Sequence, residues 1–171
     1  MLIAILADSH DHIPNLRRAV SLANREGAEL LIHCGDLISP FMLPYLHAFQ
    51  GQVHLIYGNN AGDRHLIASR CATVFDNIQH HGSHGTIVAD SFRIAFHHCP
   101  EIARAQALTG THDLVCYGHD HIFLVERIGS CLLINPGDLL GKDAIPTFVL
   151  LDTDDLSVRQ LEVGCKLLLD D

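Results

Sequence analysis

The sequence has no apolar run long enough to span a membrane, and its start, MLIAILADSH, has no basic stretch ahead of the apolar one. A spanning helix and a secretory leader are therefore not expected, and a cytoplasmic location follows. No CxxC pair occurs among the six cysteines, which sets aside zinc ribbons and thioredoxin-like chemistry. Cys34, Cys71, Cys99, Cys116, Cys131 and Cys165 read as buried, reduced thiols, several of them in apolar runs such as LLIHCG, DLVCYG and SCLLIN. Repeats, linkers and low-complexity stretches are also missing, so residues 1–171 read as one domain. Charged residues make up 18% against 48% hydrophobic, which excludes long disorder. Positive charge is scarce: 11 Lys and Arg stand against 20 Asp and Glu, a formal net charge of −9. A protein held to a nucleic-acid backbone by charge is normally basic. Neither a long nucleic acid nor a membrane is expected as a partner; a homo-oligomer is compatible with the sequence.

Histidine is abundant. There are 14, spread along the chain rather than gathered in one run. Imidazole is the commonest metal ligand and the proton carrier nearest neutral pH. Excess acid needs cations, and bound metal is one source of them.

The first third alternates strand and helix. Leu2 to Ala7 is a continuous apolar run, as in a strand buried on both faces. Pro14 opens a helical pattern through Arg25, and Gly27 stops it. Leu30 to Cys34 and Val53 to Tyr57 repeat the strand pattern. A helix follows Pro40, interrupted or shortened by Pro44. This βαβαβ order implies parallel pairing. Further on, Gly85–Ala89 and Phe92–His97 read as a hairpin around Asp90-Ser91, followed by a helix from Pro100 to Leu108. Short strands are expected at Leu114–Tyr117, Ile122–Arg127, Cys131–Ile134, Thr147–Leu151 and Leu156–Val163. The expected fold is α/β: a two-sheet β-sandwich flanked by helices (αββα), with a parallel first half and a largely antiparallel second half.

Polar residues gather where these strands end: Asp8-Ser9-His10, Gly35-Asp36, Gly58-Asn59-Asn60, His97-His98 and Gly118-His119-Asp120-His121. In α/β sheets, ligands bind beyond the carboxyl ends of strands. Singly, each has an ordinary explanation: Asp8 a turn or cap, Asp36 an N-cap, Asn59 a left-handed turn residue, His97 a core histidine. Together they bring carboxylate, imidazole and amide from five strands to one edge. Residues i and i+2 on extended chain share a side, so Asp8/His10 and His119/His121 can each grip one ion. His, Asp and Asn without thiolate suit Mn, Fe, Ni or Zn.

With Asn135-Pro136-Gly137 added, the ordered motifs resemble those of the calcineurin-like metallophosphoesterases, most closely the small bacterial and archaeal phosphodiesterases. The resemblance spans nearly the whole chain. It implies two divalent metal ions, manganese first among them, with Asp8, His10 and His121 on one, Asn59, His97 and His119 on the other, and Asp36 between. It further implies a hydroxide bridging both metals that attacks a small phosphodiester, with Asp36, Asn59, Asn60 and His10 in the catalytic set. Two departures stand out. The family's His-Gly pair is here His97-His98, with His97 preferred because it ends the strand. Asn60 replaces a histidine that in many members protonates the leaving group, which weakens the case for phosphomonoesters. Arg64 reads as a solvated helix-start residue, with substrate phosphate as the alternative. His12 caps its helix or touches substrate, and Asp63 is a further candidate acid. His80, His81 and His84 read as a loop, and Asp152, Asp154 and Asp155 as a solvated turn. The same fold resembles the non-catalytic small subunit of the retromer coat, so a scaffold is the alternative function, and a metal-binding protein without hydrolysis a third.

Overall fold

Strand β1 (Leu2–Leu6) lies at the middle of a six-stranded sheet, which is why its run is apolar on both faces. It pairs in parallel with β2 (Leu30–His33) and antiparallel with β10 (Thr147–Asp152). The sheet continues through β3 (Gln52–Leu55) and β4 (Ile78–His80) on one side and β11 (Val158–Glu162) on the other, in the order β11-β10-β1-β2-β3-β4. The second sheet has the order β5-β6-β7-β9-β8, from β5 (His84–Ala89), β6 (Phe92–His97), β7 (Leu114–Cys116), β8 (Leu124–Ile128) and β9 (Cys131–Asn135). The computed structural model describes residues 1–163, so the expectation for Cys165 lies outside the described residues.

Three buried layers hold the sheets and helices together. Alternation along β1 sends Ala4 and Leu6 toward α1 (Ile13–Arg25), α2 (Leu43–His47) and α3 (Arg64–Thr73), and Ile3, Ile5 and Ala7 toward the second sheet. Between the sheets, Ile5, Ile32, Phe96, Leu114 and Val149 are fully buried. Outside the second sheet, α4 (Pro100–Leu108) sets Ala103 and Ala107 against Val115 and Leu133. Among the described residues the layers are thus helix, sheet, sheet, helix, and the expected αββα fold is observed.

Several details differ from expectation. The second half is largely antiparallel, as expected, but β6, β7 and β9 form a parallel run within it, because α4 is a crossover between β6 and β7. His80 ends β4 and His84 begins β5, so the loop expected across these histidines is the short turn 81–83 between the two strands. Strand β8 starts at Leu124; Ile122 and Phe123 remain exposed in the preceding loop. Pro44 does not interrupt a helix but starts α2, after a 3-10 turn at Pro40–Met42. Of the five cysteines among the described residues, four are buried, whereas Cys99 is only half-buried.

Strands β1, β2 and β3 are mutually parallel, as are β6, β7 and β9. Their carboxyl ends meet at one edge of the sandwich: Asp8 N–H donates to Gly35 O, Gly118 N–H to His98 O, and the ring of His98 reaches Cys34 O.

Candidate metal centre

Each turn leaving these strands is sharp. Asp8 (φ 52), His10 (φ 42), Asp36 (φ 55), His119 (φ 81) and His121 (φ 61) all adopt left-handed backbone. That conformation is unfavourable for residues with a Cβ, by about 1–3 kcal/mol each, and persists only where the surroundings enforce it. Here it turns five side chains toward one point.

Asp8 is fully buried. Its Oδ2 accepts the His119 N–H at 2.9 Å. Its Oδ1 has no hydrogen-bond partner and faces three imidazole nitrogens: His121 Nε2 at 3.5 Å, His10 Nε2 at 3.8 Å and His98 Nε2 at 3.9 Å. Asp36 lies opposite, 3.5 Å from both His10 Nε2 and His98 Nε2. Asn60 holds Asp36 twice, its N–H on Oδ1 at 2.8 Å and its side-chain amide on Oδ2 at 2.7 Å. Asn59 Oδ1 sits 2.8 Å from both His98 Nε2 and His119 Nδ1. Glycine is required alongside: a Cβ on Gly58 would overlap the Asp36 carboxylate, and one on Gly118 would crowd that of Asp8.

The electrostatics follow from this packing. Burial opposes ionisation of Asp36, yet hydrogen bonds from His98 and Asn60 outweigh it and hold its pKa far below the usual carboxylate range. Burial works against a charged His98, but the Asp36 hydrogen bond and the charges of Asp8 and Asp36 raise its pKa. His10 is raised by Asp8 first and Asp36 next, against burial.

The structure thus brings together Asp8, His10, Asp36, Asn59, His119 and His121, and corrects one position. His98, not His97, enters the cluster. Strand alternation is the reason: Ile94 and Phe96 face the inter-sheet core, and His98 continues that face. His97 projects the other way, accepts the Cys99 N–H at 3.0 Å, and pairs across strands with His84. Asn60 is committed to Asp36 rather than standing clear. His12 caps α1, its Nδ1 accepting the Asn15 N–H, and Asp63 caps α3 through the Leu66 N–H. Arg64 lies over the Tyr57 ring at 5.3 Å. His80 and His81 sit apart, beside Tyr57 and His54 respectively. Asp154 pairs with the terminal ammonium of Met1.

Two residues were not foreseen. His33 is fully buried, its Nε2 3.1 Å from Ser9 Oγ and its Nδ1 accepting the Gly35 N–H; burial pushes its pKa down to about 4, so it props both loops as a neutral ring. Asp138, nearly buried after the Asn135-Pro136-Gly137 turn, lies 3.6 Å from His121 Nδ1.

A cation fits these surroundings. Two donor groups could hold one, Asp8 with His10 and His121, and Asp8 with Asp36 and His98. Asp8 Oδ1 and His10 Nε2 are buried without partners, which is unfavourable unless something else binds them. Oxygen and imidazole donors without thiolate match borderline divalent ions.

Residues 1–156 match the model of the calcineurin-like phosphoesterase superfamily domain. The chain belongs to that superfamily. Phosphodiesterase MJ0936 of Methanocaldococcus jannaschii is 33% identical over 163 residues, covering 94% of this chain and 98% of that protein. The solved structure of an archaeal phosphodiesterase aligns with a TM-score of 0.88 at 30% identity, over 95% of this chain and 99% of its own. Wild-type Vps29 from Entamoeba histolytica, solved complexed with Zn2+, aligns with a TM-score of 0.67 at 16% identity, over 96% of this chain and 100% of its own; that likeness concerns the fold. Membership in the calcineurin-like phosphoesterases makes this a chain of a phosphoester-hydrolase family and implies divalent metals.

Proposed function

We propose that the chain is a binuclear metal-dependent phosphodiesterase acting on small phosphodiesters in the cytoplasm. The observation that carries the reading is the meeting of seven donor side chains, two of them the buried carboxylates of Asp8 and Asp36, with Asp8 Oδ1 and His10 Nε2 left without hydrogen bonds. Asp8, His10 and His121 would hold one ion, Asn59, His98 and His119 the other, and Asp36 both. Manganese is the proposed native ion, with iron, nickel and zinc as alternatives. Divalent ions there would acidify a water for attack and neutralise the phosphate oxygens.

The chain's own residues do the rest. Asn60 fixes both oxygens of Asp36, whose depressed pKa keeps it anionic between two cations that would otherwise repel. Cys34 O anchors His98 Nδ1 at 2.9 Å and leaves Nε2 facing the cluster. Asn60 carries no acidic proton and its amide is engaged, so it does not protonate the leaving group. General acid help is worth about 10²–10⁴-fold, and its absence tells most on a monoester dianion expelling a poor alkoxide. Diesters with good leaving groups should therefore be preferred.

The test is a rate series over aryl phosphodiesters of graded leaving-group pKa, beside the matching monoesters, with saturating Mn2+. Diesters should turn over faster and show a steep leaving-group dependence. A shallow slope, or faster monoester hydrolysis, would place a general acid in the site. The scaffold alternative draws on fold likeness to Vps29, whereas a complete donor set around an anionic Asp36 favours catalysis. Metal uptake without any hydrolysis would favour the scaffold or metal-binding alternatives.

A further inference from the structure

Behind the cluster lies a third buried carboxylate, which the metal-centre reading above leaves without a role. Asp138 is 4% exposed. The turn after β9 delivers it: Asn135 Oδ1 accepts the Gly137 N–H at 3.0 Å, Gly137 takes φ 79, and Thr147 Oγ1 donates to Pro136 O at 2.8 Å. The next residues are pinned alongside the cluster, with Leu139 N–H on Ala7 O and Leu140 N–H on Asp8 O. One oxygen of Asp138 accepts the Gly141 N–H at 2.5 Å. The other, Oδ2, is 3.6 Å from His121 Nδ1, while Nε2 of the same ring is 3.5 Å from the unpartnered Asp8 Oδ1. The order across the ring is therefore carboxylate, Nδ1, Nε2, cluster.

We propose that Asp138 is a positioning residue: its carboxylate orients His121 and keeps the proton on Nδ1, so that Nε2 is presented to the ion shared with Asp8 and His10. The inference rests on the metal-centre reading. Its physical basis is that a neutral imidazole has one donor and one acceptor nitrogen, and a carboxylate facing Nδ1 favours the proton there. At 3.6 Å the contact is a charge–dipole attraction rather than a formed hydrogen bond, which suffices to bias the tautomer. Carboxylates placed behind ligating histidines typically change metal affinity about 10–100-fold.

Asp138→Asn keeps the side-chain shape and the acceptor for the Gly141 N–H while removing the charge. Calorimetric titration of Mn2+ into chelator-stripped protein should show one of two binding steps weakened about 10–100-fold, the other within about twofold, and an unchanged metal-free melting temperature. Unchanged binding, or equal weakening of both steps, would overturn the proposal. A second measurement needs no variant and decides alone if Asp138→Asn fails to fold. In the wild type loaded with diamagnetic Zn2+, long-range ¹⁵N–¹H correlations of the imidazoles should place the His121 proton on Nδ1 and the metal on Nε2; the opposite assignment refutes it. Wild-type protein that takes up no metal would sink the metal centre itself, whereas normal uptake by both proteins sinks only the role of Asp138.

Discussion

Replacing His54 by asparagine should reduce the acid sensitivity of the fold by a calculable amount. His54 sits on β3, 9% exposed, with Phe96 nearby and its Nδ1 2.8 Å from His81 Nε2. Burial, and after it the neighbouring His81, push its pKa down from 6.5 to about 4. The folded pKa is thus below the unfolded one. Between those values the unfolded chain binds the proton and the folded chain does not, so stability is full above pH 6.5 and falls as the pH drops toward 4. A tenfold difference in proton affinity between the two states corresponds to about 1.4 kcal/mol. Linkage between protonation and unfolding then gives a loss of about 2 kcal/mol at about pH 5 relative to about pH 7.5 from this ring alone. Asparagine places an amide near the position of Nδ1 and does not titrate. Urea unfolding of wild type and His54→Asn at pH 7.5, 6 and 5, in chelator so that metal release adds nothing, isolates the difference. The variant should lose about 2 kcal/mol less over that range, the groups remote from His54 cancelling in the comparison. Equal losses in the two proteins would mean that His54 protonates freely in the folded state, and the reasoning from burial would fail.

His98→Ala should lower metal content while His97→Ala leaves it near the wild-type value, because only His98 faces Asp36 and Asn59; metal analysis of the two purified variants decides, and the reverse pattern returns the ligand to His97. Gly58→Ala should destabilise the fold by about 1–3 kcal/mol, since the added carbon overlaps the Asp36 carboxylate and main chain, and should weaken metal uptake as well; urea unfolding and metal counts equal to wild type would contradict it. Asn60→Ala removes one of the two hydrogen bonds that Asn60 makes to Asp36 and should raise the Mn2+ concentration for half-maximal activity about 10-fold; an unmoved saturation curve would refute that role.

Much of this centre is legible in the chain, for physical reasons that also mark where legibility stops. Strands β1, β2 and β3 are central, so their apolar runs are continuous, and Pro14 and Gly27 bracket α1. Parallel strands put their carboxyl ends on one edge, which makes the clustering of Asp8, Asp36 and Asn59 readable from the chain alone. Helix α3 is harder, because only Ile67 and Cys71 are buried on it and its periodicity is weak. Strand β4 is three residues long with one buried side chain, too little pattern to separate it from a loop. The parallel run β6-β7-β9 depends on pairing partners, which short strands do not encode. His98 is within reach: in Phe92–His97 the buried Ile94 and Phe96 set an alternation that passes through His98, and the face of the strand is a better guide there than its last residue. Asp138 carries no local signal beyond a turn, since its neighbour His121 comes from another strand end.

The most direct test of the two-metal centre is to titrate chelator-stripped protein with Mn2+ while following both bound metal and hydrolysis of bis(p-nitrophenyl) phosphate, in wild type and Asp36→Asn. Hydrolysis should be negligible without metal, should rise as the second equivalent binds, and should be mostly lost in Asp36→Asn even at saturating Mn2+. Near wild-type turnover by Asp36→Asn, or full hydrolysis with one equivalent or none, would contradict it.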